Sequence, residues 1–303
     1  GLFGLALGSF LNVVIYRLPR KCDSIFRGRS FCPQCAKQIA WYDNIPLLSY
    51  ILLGGRCRHC GARISPRYFL VELLTGGLFA YLAHRFLLDD TAAGLFDEKW
   101  PLFLIYGGLT AALIACTFID IRLRIIPDEI DKPFIVIGPV VSFFYPLLHK
   151  DTVENFIWRR QLADWPMAEN FMGFFSSIFG VAVGAGIIIL VGLFGKALFR
   201  KEAMGFGDVK FLAMIGGFLG WDMTLLAFLL ACFTGALIGV VVMIVTKDHY
   251  MPFGPNLALG AVAVILFRDV INRGIESYMQ MLRGDSLAAL WKAVAWMMPC
   301  YSS

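Results

Sequence analysis

Asp120 closes the apolar run 111–119, and Asp208 stands 88 residues further on in Gly205-Phe206-Gly207-Asp208-Val209-Lys210. A carboxylate at the edge of an apolar stretch is costly beside a bilayer, so each marks a candidate functional site. Two carboxylates brought close together cannot both ionise easily and come to share one proton. One can then activate water as a base while the other polarises a carbonyl as an acid, which is the chemistry of peptide hydrolysis. The glycines flanking Phe206 lack a Cβ, and the expectation is that they allow unusual backbone angles and close approach of an extended peptide to Asp208. Asp208 also suits the N-cap of the helix that follows, and both roles can hold at once. The plain alternative for Asp120 is an interfacial charge paired with Arg122 or Arg124. Asp128, with Glu129 and Asp131 beside it, is expected to be more solvated than Asp120, and the whole acidic cluster is assigned to capping a helix start.

Cysteine spacing supplies a second chemistry. Cys32-Pro33-Gln34-Cys35 and Cys57-Arg58-His59-Cys60 form two C-x-x-C knuckles separated by residues 36–56. Four thiolates at this spacing can converge tetrahedrally on Zn²⁺, and a closed four-sulfur site is structural because no coordination position is left for a substrate. A module of this size cannot bury a self-sufficient core, so metal would supply much of its folding free energy. The alternatives are unligated thiols or two disulfides, which a reducing compartment disfavours. His59 is not assigned as a ligand. Cys22, Cys116, Cys232 and Cys300 have no partner spacing and read as buried apolar residues or incidental thiols.

The elements that must position these groups are membrane helices. The chain is 58% apolar and only 16% charged, with a mean hydropathy of +0.70, far from the balance of a soluble domain. Runs compatible with helical spans are Tyr68–Leu88, Leu102–Ile119, Phe134–His149, Phe171–Phe199, Leu225–Thr246 and Leu257–Phe267 with its flanks. Leu2–Ile15 and Phe211–Trp221 are shorter; the first reads as a whole helix cut at its start. The expectation is an all-α polytopic bundle of about eight transmembrane helices with a small zinc-binding module inserted after the first helix.

Domain bounds follow: 1–16 the first helix, 17–67 the module, 68–272 the membrane-embedded domain, and 273–303 a tail with a weak amphipathic pattern suited to an interface. Residues 17–67 carry ten lysines and arginines against Asp23 and Asp43, so by the positive-inside rule the module is cytoplasmic. Alternating onward puts the 120–132 connection and the Lys196–Lys210 stretch on that same side. Both aspartates are therefore expected at the cytoplasmic boundary. The formal charge of +5 reads as a basic surface facing anionic lipid, with no aromatic and basic groove for nucleic acid.

Polar residues within apolar runs should face other helices. Ser9, Asn12 and Thr75 read as interhelical packing, and Glu72 as an ion-paired interfacial carboxylate. Pro252-Phe253-Gly254-Pro255 cannot continue a helix and reads either as a broken segment bordering the site or as a turn before the last helix.

Taken in order, Gly8-Ser9-Phe10-Leu11-Asn12 through Tyr16-Arg17-Leu18-Pro19, the paired knuckles, Asp43-Asn44-Ile45-Pro46, Asp120 with Ile126-Pro127-Asp128, the Gly205–Asp208 motif and Pro252–Pro255 resemble the type IV prepilin peptidases. The resemblance runs from residue 1 to about 265. It implies a bifunctional enzyme of the bacterial inner membrane, an aspartyl endopeptidase that removes the leader from prepilins or pseudopilins at the cytoplasmic face. It also implies N-methylation of the new amino terminus with S-adenosylmethionine. By motif position the catalytic pair would be Asp120 and Asp208, and the zinc ligands Cys32, Cys35, Cys57 and Cys60. No glycine-rich nucleotide fingerprint marks a methyl-donor site, although the surface around Arg56 and Asp43 could supply one. The competing classes are a proton-coupled transporter, which would place its carboxylates near the midplane of a repeated fold, and a non-catalytic assembly protein of a secretion machine.

Overall fold

The computed structural model describes residues 1–20, 30–88, 96–149, 167–199, 205–246 and 252–282. Among them there is no strand, only two isolated bridges. In hydrocarbon every backbone group must be satisfied within its own segment, and an apolar chain meets that demand as helix. The helices are α1 (Leu2–Arg17), α2 (Leu48–Leu52), α3 (Pro66–Ala83), α4 (Phe96–Leu123), α5 (Asp128–Phe144), α6 (Ala168–Phe199), α7 (Phe206–Thr246) and α8 (Gly254–Leu282). Cys22, Cys300, His249, the acidic pair Asp89 and Asp90, most of the 150–170 connection and the end of the tail lie outside the described residues.

Among the described residues six helices are long and apolar enough to cross a membrane: Leu2–Arg20, Pro66–Leu88, Lys99–Leu123, Ala168–Leu198, Phe206–Val245 and Gly254–Ile275. That is fewer than the eight expected, for two reasons. The segment expected at Phe134–His149 is the 17-residue α5 followed by a 3₁₀ turn. The segments expected at Phe211–Trp221 and Leu225–Thr246 run together as α7, interrupted only at Gly220, whose φ of 79° and ψ of 171° are not helical. Only glycine adopts such angles at little cost.

Two pairs of helices meet through glycines four residues apart. A Cβ at Gly4 would lie 2.6 Å from Phe79 Cβ, and one at Gly8 would lie 2.8 Å from Glu72 Cα, so α1 and α3 touch backbone to backbone. On α6, Gly180 faces Gly216 of α7 and Gly184 faces Leu212, the opposed progression of an antiparallel pair. Small residues at this spacing let helices approach closely where lipid gives no hydrophobic drive. Gly180→Ala should therefore destabilise by about 1–3 kcal/mol, because its methyl runs into the Gly216 carbonyl. Gly186→Ala, where a Cβ meets nothing within 4 Å, should be neutral or gain up to about 1 kcal/mol. Thermal unfolding of the two purified variants in detergent checks the contrast, and equal melting temperatures would contradict it.

By its contacts the chain forms two units, Gly1–Ala261 and Val262–Ser303. In the first, α4 is buried along most of its length, with Leu109, Leu113, Ala115, Cys116 and Ile119 all enclosed. Leu11, Ile15 and Val71 from α1 and α3 pack with Ile114, Phe118 and Ile119 into one core cluster. In the second, the helix continues past a non-helical Phe267 to Leu282.

Candidate active site

Asp120 sits in the last turn of the most enclosed helix and is 6% exposed. One turn on, Arg124 takes a left-handed φ of 57° and donates its N–H to the Asp120 carbonyl, which ends α4. Ile125, Ile126 and Pro127 lead out, and α5 begins at Asp128. Asp208 lies in the first turn of α7, three residues after Gly205. Its carboxylate accepts the Gly205 N–H, and its own N–H donates to the Gly205 carbonyl. This reaching back from the third helical position is one half of a capping box, so Asp208 helps close the helix start from inside the helix, with Gly205 in the N-cap position that had been expected for Asp208.

The first turn of α7, which carries Asp208, packs against Ile126 beside Asp120, close enough for the two carboxylates to interact electrostatically. The Asp120 carboxylate also accepts the N–H of Gly254, at the start of α8. A Cβ at Gly254 would lie 2.6 Å from Asp120 Oδ2 and 3.3 Å from Ile126 Cδ1, and one at Gly207 would lie 3.5 Å from Ile126 Cβ. Three helix ends thus close on one point: the C-terminal end of α4 and the N-terminal ends of α7 and α8. Each carboxylate sits against a helix N-terminus, where unsatisfied N–H groups and the macrodipole favour negative charge.

Two expectations need correction here, the backbone angles of the flanking glycines and the partner of Glu72. Neither Gly205 nor Gly207 has a positive φ; a separate glycine, Gly254, has the Asp120 carboxylate packed against it, leaving no room for a side chain. Asp120 is buried and takes the Gly254 N–H as a hydrogen-bond donor, unlike the solvated interfacial charge of the alternative reading. Glu72 is held by neutral donors, the Leu47 N–H at 2.9 Å and the side chains of Ser9 and Asn12, where an ion pair was expected. Pro252–Pro255 combines its two readings, since it is the turn that opens α8 and it borders Asp120 through Gly254. Beside it lies a cavity of about 290 Å³, lined by Phe228, Cys232, Gly235, Phe253 and Asn256 among others.

The neighbouring acids divide. Asp128 is half-exposed and forms ion pairs with Lys132 at 2.8 Å and with Lys210 of α7. Its partners are cations across two helices, in place of the backbone cap expected of it. Asp131 is fully buried, with Cys116 Sγ 3.9 Å from Oδ1 and no partner at Oδ2. It shares the first turn of α5 with Asp128 and Glu129, as the acidic cluster suggests, but not their exposure. The signal that separates it is the stripe Asp131, Gly138 and Ser142, small or polar positions that recur on the buried face of α5.

The four cysteines also come together. Cys32, Cys35, Cys57 and Cys60 place their sulfurs within 4.8 Å of one another, and Cys32 and Cys60 are 3.9 Å apart. Tetrahedral zinc with bonds of about 2.3 Å sets its sulfurs about 3.8 Å apart, so the cluster fits a metal of that size. The two knuckles share one geometry. Cys32 donates its N–H to the Lys37 carbonyl and Cys57 its N–H to the Ala62 carbonyl. Ala36 and Gly61, each following a second cysteine, take left-handed φ of 53° and 68°. Backbone N–H groups of Cys60 and His59 pull the Cys57 thiol down, while the neighbouring sulfurs push Cys60 up, so without metal the clustered thiols do not all ionise together. Nearby, Arg58 grips Asp43 through Nε at 2.8 Å and Nη2 at 2.6 Å and holds that carboxyl below its usual range.

Residues 2–86 match the Bacterial Peptidase A24 N-terminal domain, and residues 108–240 match the Type IV leader peptidase family. The first match contains both cysteine knuckles, and the second contains both aspartates. A protein of Aeromonas hydrophila is 34% identical, over 90% of this chain and 91% of its own length. One of Pseudomonas aeruginosa is 31% identical over 90% of each chain, and one of Myxococcus xanthus 37% identical over 80% of this chain and 62% of its own. All three carry the name prepilin leader peptidase/N-methyltransferase. No solved structure matches the chain significantly. With both domains matched in order and relatives aligned over nine-tenths of their length, the chain is an enzyme that belongs to the type IV leader peptidase family.

Proposed function

We propose that this chain is a multi-pass protein of the bacterial inner membrane that cleaves the leader from prepilins or pseudopilins at the cytoplasmic face and then methylates the new amino terminus. The observation that supports the reading is the meeting of three helix ends around Asp120, Ile126, Gly207 and Gly254, which brings Asp208 near Asp120 although the two are far apart in sequence. With one proton between them, the ionised carboxylate takes a proton from water as its oxygen attacks the scissile carbonyl, and the other carboxyl protonates the carbonyl oxygen. Collapse of the tetrahedral intermediate moves a proton to the leaving nitrogen, breaks the C–N bond and returns the pair to one shared proton. The N–H groups of Gly205 and Gly254 hold the two carboxylates in place.

The same contacts support eight crossings. Gly254 meets Asp120 only eight residues after Thr246, a reach of at most about 28 Å. A straight α7 of 41 residues would be about 60 Å long, twice the hydrocarbon core. It must therefore turn back at Gly220 and cross twice. Likewise, for Lys210 to meet Asp128, α5 has to cross with its 17 residues.

The four cysteines fit structural zinc, which when bound would fix the fold of the module and offer no open position to substrate. Methyl transfer with S-adenosylmethionine rests on family membership, because Asp43 is engaged by Arg58 and offers a donor no free carboxylate. Mass spectrometry of a membrane-embedded prepilin incubated with the purified protein tests both activities. Leader loss, and a further gain of about 14 Da with S-adenosylmethionine, is the expected result; an intact prepilin overturns the reading. Proteolysis and methylation should also separate. Asp208→Asn should still methylate an already processed pilin, and loss of both activities from the folded variant would contradict that.

A further inference from the structure

Helix α2 is built inside out. Leu48, Ile51 and Leu52 fall at i, i+3 and i+4 on one helical face, and that face is exposed, Ile51 by 63% and Leu52 by 74%. The other face is tied inward: Ser49 is buried with its hydroxyl donating to the Tyr42 carbonyl, and the Tyr50 ring lies 5.3 Å from that of Phe69. Next to it Trp41, 81% exposed, packs edge-on against Tyr42. An outward apolar face of this kind needs a cover.

Its depth says what covers it. The Leu47 N–H bonds Glu72, six residues into the span Pro66–Leu88, which is about 9 Å down a helix. Tyr50 meets Phe69, one turn nearer the start of the same span, about 4–5 Å in. So α2 runs beside the first two turns of a membrane helix whose Leu70 and Leu73 are themselves exposed. Both ends of the module lead into spans, so it cannot leave the surface. Exposed Lys37, Arg56 and Arg63 complement anionic headgroups.

We propose that residues 41–52 form an interfacial anchor, with Trp41, Leu48, Ile51 and Leu52 embedded in the headgroup–acyl boundary of the bilayer. The anchor rests on the membrane reading of α1 and α3 and is independent of the hydrolytic chemistry. It holds the cysteine module against the membrane as a peripheral amphipathic segment holds a surface enzyme.

The test uses full-length protein in vesicles containing a phospholipid with a photoreactive diazirine near the top of its acyl chain. After irradiation, peptide mass spectrometry should find lipid adducts on residues 41–52 at a frequency similar to residues 70–74, and severalfold more in anionic than in zwitterionic vesicles. A double Ile51→Glu, Leu52→Glu variant with unchanged metal content should lose the adducts on 41–52 and keep those on 70–74. Unlabelled 41–52 beside labelled 70–74 in the unaltered protein overturns the proposal without recourse to any variant. So does protein cross-linking that ties this segment to a second copy or to prepilin in place of lipid.

Discussion

Asparagine at either Asp120 or Asp208 should abolish leader cleavage, lowering the rate by a factor of about a thousand or more. Each substitution is nearly isosteric, so the helix ends that hold the carboxylates remain. What is lost is the pair's capacity to carry one proton and one negative charge together. Because the two act as a unit, the double variant should be scarcely worse than either single one. Asp128→Asn should be milder: it removes ion pairs to Lys132 and Lys210 at a half-exposed position, and such pairs contribute little individually. The unaltered protein should give a bell-shaped pH–rate profile. Activity falls on the acid side as both carboxyls become protonated and on the alkaline side as both ionise, and the two limbs belong to the coupled pair. Rates measured on a prepilin substrate with matched protein amounts check all four outcomes.

Cys57→Ser should cost the module its metal and its fold. Structural zinc in small domains is worth roughly 10–16 kcal/mol, and a segment with only two isolated bridges and short helical turns has little else to hold it. Metal analysis should find about one equivalent of zinc in the unaltered protein and much less in the variant. Proteolysis should then cut within residues 30–65 while the membrane helices resist. A variant that keeps full zinc, or unaltered protein that folds and works without metal, would contradict the assignment.

Charge alternation in the sequence puts Asp120 and Asp208 on one face, and the structure sets both at helix ends that meet around Ile126 and Gly254. The cysteine cluster was legible from spacing alone, since ligand geometry fixes the spacing. Helix count was harder: α5 is short, and α7 hides its division at a single glycine whose angles no hydropathy pattern records. Glycines at 4 and 8 and at 180 and 184 were visible as a small-residue spacing, but their partners could be known only from packing. Asp131 was misjudged because its neighbours in sequence are solvated while its own position on α5 turns inward against Cys116. The Gly254 contact with Asp120 joins segments 134 residues apart, and nothing local announces it.

The most direct test of the central claim is leader cleavage by purified Asp208→Asn protein whose helix content, membrane insertion and zinc content equal those of the unaltered chain. Intact-mass measurement of a membrane-embedded prepilin should then show the full-length precursor alone, while the unaltered enzyme converts it to leader and mature pilin. Near-normal conversion by that verified variant would contradict the two-aspartate account.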